Sequence, residues 1–132
     1  MTFNPLRCNI LQRVFSLRLK NRIMRIWDIS QKNLCRNHLL GEHRELHAIW
    51  SVLTKNKKGY SKHPETIRWR NKLAALYVRH QGLVKEMQNR GYSHHSNLNR
   101  RLAIGSKKQD VLVDSCKRQK KILAGKKCGC KV

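Results

Sequence analysis

The chain has 132 residues, 39 % of them apolar, which suits one domain with a modest core and excludes a disordered composition. Lys and Arg total 30 against seven acids, a net charge of +23; such a field draws polyanions, nucleic acid first among them. No apolar run reaches the roughly 18 residues of a membrane span, so no membrane partner is expected, although charge alone leaves a ribosomal-type or membrane-surface protein open.

In chain order, residues 1–23 carry Arg7, Arg13, Arg18, Lys20 and Arg22 and no acid, with Leu6, Ile10, Val14 and Leu17 at helical spacing. This basic amphipathic stretch lacks the apolar segment of a secretory signal. It reads as an extension upstream of the true start, with Met24 directly after it; organellar import is the alternative. Ser30 is a good N-cap. Cys35, Leu39, Leu46, Ile49, Trp50 and Leu53 then form an apolar stripe that predicts a helix over 31–54, with Asp28 as a further candidate cap. A basic turn, Asn56–Tyr60, follows. Pro64 opens a second helix, with Glu65 in its first turn, that buries Ile67, Leu73, Leu76, Tyr77, Leu83, Val84 and Met87 and stops at Gly91. Residues 93–97 form a polar loop, 108–124 a weakly patterned third helix, and 126–132 a basic, mobile tail. The expected fold is all-α: one small domain of about three principal helices over 24–125.

The five cysteines, Cys8, Cys35, Cys116, Cys128 and Cys130, are odd in number and irregular in spacing. That argues against a secreted disulfide scaffold and for a reducing cytoplasm, where a DNA-binding chain would associate with the nucleoid. Cys128-Gly129-Cys130 can bind a metal or form a redox pair, but no second ligand pair lies near it in sequence. His43 and His47, at i and i+4, also have ligand spacing. The intervening acid is misplaced for a zinc hydrolase, no third ligand is evident, and no metal or other cofactor is expected.

Few acids make elimination possible. Glu65 suits a helix start, Glu86 pairs with Arg90 four residues on, and Asp110 and Asp114 lie in the weakly patterned region. Glu42 and Glu45 remain, inside His38-Leu-Leu-Gly-Glu-His-Arg-Glu-Leu46. His38, Glu42 and Glu45 fall at i, i+4 and i+7 on one helix face, with Arg44 beside them. This is either a site or a solvated face with local ion pairs. Trp27, Trp50 and Trp69 read as core anchors rather than base-stacking platforms.

Cys35-Arg-Asn-His-Leu-Leu-Gly-Glu-His-Arg-Glu-Leu46 resembles the first helix of the phage pyrimidine-dimer DNA glycosylases of the endonuclease V type. Lys72-Leu73, Arg79, Glu86 and Arg90-Gly91-Tyr92 resemble the family's long second helix, and Met24-Arg-Ile-Trp-Asp28 the start of shorter bacterial members. The resemblance covers roughly residues 24–98. It implies a glycosylase with abasic-site lyase activity that acts as a monomer on double-stranded DNA containing pyrimidine dimers or abasic sites. An N-terminal α-amine attacks sugar C1′, an imine forms, and β-elimination cuts the strand. The family's nucleophile lies fourteen positions before the histidine, which here is Met24, so the α-amine of Met24 serves if the mature chain begins there. The essential carboxylate corresponds to Glu45, a DNA-contacting arginine to Arg44, a site-lining histidine to His38 and a phosphate-binding arginine to Arg25. Lys57, Lys58, Arg68, Arg70 and Arg79 are further candidate DNA contacts. Where the family carries another DNA-binding arginine, this chain has Ala48, and the family's aromatic C-terminal segment is absent. The alternatives are a non-catalytic basic nucleic-acid-binding protein and a zinc-dependent hydrolase.

Overall fold

Ser30 caps, as its position predicts, but what it caps is a single 3-10 turn over Gln31–Asn33, with Lys32 N–H donating to Ser30 Oγ at 3.3 Å. The computed structural model describes residues 25–94 and 96–132 and the backbone of 13–14; Met24 and His95 lie outside the described residues. The expected helix over 31–54 is interrupted at Leu34 and Cys35, both extended, and α1 runs from Arg36 to Lys55. A tertiary contact explains the break. Arg90 Nη2 donates to the carbonyls of Gln31, Lys32 and Leu34 at 3.4, 3.3 and 2.8 Å, and so satisfies acceptors that helical bonds would otherwise use. α1 stops at Asn56, which takes the left-handed conformation at φ 51°.

The long second helix is two helices. α2 (Pro64–Arg68) has Pro64 in its first turn and His63 Nδ1 accepting from Glu65 N–H at 3.1 Å. α3 (Leu73–Asn89) begins after a sharp turn in which Asn71 has φ 61°. No side chain caps α3. Instead Ala74 and Ala75 N–H donate to the carbonyls of Ile104 and Ser106 at 2.9 and 3.1 Å, and Ser106 N–H returns to Asn71 O at 2.8 Å. The approach is close enough that a Cβ at Gly105 (φ +87°) would lie 2.2 Å from Asn71 O, so only glycine fits there. Ile67, expected in the core, is 39 % exposed on the short α2. Gly91 ends α3 as expected, at φ 83°.

The third helix is shorter than expected: α4 spans Cys116–Gly125, capped by Ser115 Oγ, which accepts from Arg118 N–H at 3.1 Å. Before it, β2 (Val111–Leu112) pairs in parallel with β1 (Arg13–Val14), Arg13 against Val111. Apart from that extended pair, the stretch 1–23 lies outside the described residues. Among the described residues the fold is all-α apart from this short ladder, in one small domain, and no helix is long and apolar enough to cross a membrane.

α1 packs against α3. Leu39, Leu46, Ile49 and Trp50 meet Leu76, Leu83 and Met87, and Ile26, Trp27, Ile29, Trp69 and Leu123 close the core. The three tryptophans are core anchors, as read. The tail is a correction: Lys131 N–H donates to Asn33 O at 2.7 Å and Cys35 N–H to Cys130 Sγ at 3.1 Å, so it docks beside the start of α1.

Candidate active site and nucleic-acid interface

Two buried arginines hold residues 25–29 against the helices. Arg79 Nε and Nη2 donate to the two oxygens of Glu42 at 2.6 and 3.0 Å, and Nη1 donates to Ile29 O at 2.8 Å. Glu42 Oε1 also accepts from Trp27 N–H at 3.1 Å. Burial pushes the Glu42 carboxyl up, and the Arg79 guanidinium opposes that shift. Arg68 donates to Glu65 (2.6 Å), Asp28 (3.1 Å), Ile26 O (2.9 Å) and Val111 O (2.8 Å). Burial works against its charge, and Asp28 and Glu65 more than reverse that, so its pKa rises. Arg68 and Arg79, expected to meet phosphate, are therefore fold residues, 0 % and 6 % exposed at their side chains. Asp28 is no helix cap: it pairs with Arg68 and receives Gln119 Nε2 at 3.1 Å. Asp28, Glu42, Glu65, Glu86, Asp110 and Asp114 each pair with a Lys or Arg among the described residues.

Of the three residues on one α1 face, His38 and Glu42 contact Trp27 of this segment, and the three differ in environment. Glu42 is sealed by Arg79. Glu45, one turn on, is half-buried and also engaged. Arg44 is exposed beside it. Arg25 is paired with Asp114 at 2.5 Å and lies 4.4 Å from the Trp27 ring centroid. His38 meets Trp27 edge-on at 5.9 Å. Its Nδ1 sits among three sulfurs: Cys35 at 3.1 Å, Cys128 at 3.3 Å and Cys130 at 3.5 Å. Burial, then the nearby Lys126 charge, hold its pKa below the usual histidine value.

A second cluster gathers His43 and His47 of α1, His80 of α3 and His94 of the following loop. His43 Nε2 faces His94 Nε2 at 3.1 Å, and His47 Nε2 faces His80 Nε2 at 3.2 Å. Burial, followed by the charges of its three histidine neighbours and Arg44, pushes the His43 pKa down to about 4. Both clusters revise the sequence reading. His80 and His94 supply the ligands that His43 and His47 lack in sequence, and Cys35 with His38 supplies the pair that Cys128 and Cys130 lack. The i, i+4 histidines and the Cys-Gly-Cys were the visible signals; only the fold brings their partners in. Cys35, Cys128 and Cys130 are free thiols, whereas Cys116 is disulfide-bonded.

At the far end of α1 an open cleft of about 600 Å³ is lined by Lys57, Lys58, Arg70, Asn71 and the apolar Leu53 and Ile104. Arg70 Nη2 donates to Ser61 O at 2.6 Å. Lys57, Lys58 and Arg70, all candidate DNA contacts, thus share one exposed basic wall.

A family model described as pyrimidine dimer DNA glycosylase matches residues 24–100. The chain belongs to that family. Its function is that of a DNA glycosylase at pyrimidine dimers, and its substrate is dimer-containing DNA. No curated protein matches the chain, and no solved structure matches it. The matched residues hold α1, α2, α3 and the whole histidine cluster, while Cys128 and Cys130 lie beyond them.

Proposed function

We propose that this glycosylase is also an abasic-site lyase, acting as a monomer on dimer-containing and abasic duplexes, with the α-amine of Met24 as nucleophile in a chain that begins there. The observation that carries the reading is the hydrogen bond from Trp27 N–H to Glu42. It fixes the segment just after position 24 along α1, one helical turn from Glu45. The family match beginning at Met24 supports the same start.

An α-amine has a pKa of about 7.7–8.0, so a reactive neutral fraction exists near neutrality. Its lone pair attacks C1′, the bond from C1′ to the base nitrogen breaks, and the departing base takes a proton. Sugar-ring opening gives the imine. Loss of a C2′ proton then expels the 3′ phosphate and cuts the strand. Glu45 stabilises the positive charge on the sugar and carries protons through imine formation and elimination. Arg44 and Arg25 meet phosphates flanking the lesion, and Lys57, Lys58 and Arg70 hold the duplex further along. His38, edge-on to Trp27, lines the site. A dimer stacks poorly, so bending the duplex there costs less than elsewhere.

The test is borohydride trapping on a duplex with one abasic site, with the full chain and with one starting at Met24. The expected result is an adduct from the shorter chain, mapped to the Met24 amine, and none at that position from the full chain, where residue 24 carries an amide. No adduct from either chain, with DNA binding intact, overturns the lyase reading and leaves a glycosylase without imine chemistry.

A further inference from the structure

The geometry points to a structural metal site, of zinc type, formed by Cys35, His38, Cys128 and Cys130. The four ligand atoms all lie within 4.8 Å of one another, and the Cys128–Cys130 sulfurs are 3.5 Å apart. Thiolates around zinc at the usual bond length form a tetrahedron with edges of about 3.8 Å, while a disulfide would need sulfurs at about 2.05 Å. The 3.5 Å separation of the Cys128 and Cys130 sulfurs is close to such an edge and far too long for a disulfide. Three sulfurs and one imidazole make a recognised structural donor set, with Cys35 and His38 three apart at a helix start and Cys128 and Cys130 two apart in a turn.

The surroundings fit as well. Cys35 N–H donates to Cys130 Sγ at 3.1 Å, the kind of bond that supports a metal-bound thiolate. Zinc with three thiolates carries one net negative charge, favourable in a chain of +23; the three thiol protons leave to solvent on binding. All four vertices are protein atoms, so no position is left for an activated water. The ion's role is to pin the tail to α1 beside Trp27 and thereby brace residues 25–29.

A separate observation carries a second site. Four imidazoles from three elements converge with facing Nε2 atoms at 3.1 and 3.2 Å and ring planes inclined to one another at 31–83°. Neutral imidazole suits zinc, copper or nickel, and a cation at the centre satisfies lone pairs that would otherwise face each other. His43, His47, His80 and His94 bind such an ion and tie the loop after α3 to α1.

Metal content and cobalt spectra of the full chain, purified under reducing conditions, test both. Two ions per chain are expected. Cobalt should give thiolate-to-metal charge-transfer bands, which all-imidazole coordination lacks. Cys128→Ser with Cys130→Ser should abolish those bands and release one ion; His47→Gln with His94→Gln should release the other and leave the bands. Because a variant can misfold, alkylation of the unmodified chain provides an independent check. Cys35, Cys128 and Cys130 should be protected together and exposed together by a chelator. Absence of charge-transfer bands, or cysteines that alkylate alike with and without chelator, overturns the thiolate site. Metal content unchanged by the histidine substitutions overturns the imidazole site.

Discussion

The two ends of α1 use charge differently. At its N-terminal half Cys35, His38 and Glu42 face other parts of the protein, and Glu42 is locked by Arg79. At its C-terminal end Lys55, Lys57 and Lys58 stand exposed beside Arg70. One end uses charge to position the chain; the other leaves it open to a polyanion. A high count of Lys and Arg therefore overstates the binding surface, because arginines such as Arg68 and Arg79 belong to the interior.

The largest expected effect lies on the border between these roles. Glu45→Gln keeps the size of the side chain and removes its charge, so strand cutting should fall by about 10²–10⁴-fold while dimer duplex is still bound. Single-turnover cleavage beside a gel shift measures this, and loss of folding in the variant would place Glu45 with Glu42 instead. Next comes Arg79→Met, which strands the buried Glu42 carboxylate. A loss of about 3–5 kcal/mol is expected, read from urea unfolding; a loss below about 1 kcal/mol would mean a pair no stronger than one at the surface.

Smaller effects sharpen the other end. Replacing Lys57, Lys58 and Arg70 by Ala should leave the melting temperature unchanged. It should also flatten the salt dependence of DNA binding by about 0.9 per phosphate contact removed. An unchanged slope would remove the cleft from the interface. The smallest effect is Ile67→Ser, expected within about 0.5 kcal/mol of the parent because the side chain is already partly in water. A cost of about 2 kcal/mol or more would return Ile67 to the core.

What the sequence shows plainly is whatever local periodicity controls. The stripe through Leu39, Leu46, Ile49 and Trp50 is buried as its spacing predicts, and Pro64, Gly91 and Ser30 punctuate the chain where their chemistry requires. The departures all come from distant partners. The long second helix fails at Asn71 because Gly105 lets another segment cap α3. Glu42 survives elimination by sequence and then meets Arg79, 37 residues away. The candidate catalytic helix is legible, since His38, Glu42 and Glu45 are spaced by the helix itself. The two metal-ligand clusters are only half legible, because each takes two ligands close in sequence, from α1 or its N-cap, and two from distant parts of the chain.

The docking of the tail also bears on how fast the protein unfolds. Its contacts with Cys35 and His38 join residues 90 to 95 positions apart. Loops of that length must close before such contacts contribute anything, so they form after the helices have met. Contacts formed on the native side of the transition state govern escape from the folded state rather than entry to it. Loosening the tail should therefore raise the unfolding rate extrapolated to water while leaving the refolding rate nearly unchanged. In that sense the tail acts as a latch on the lifetime of the native state.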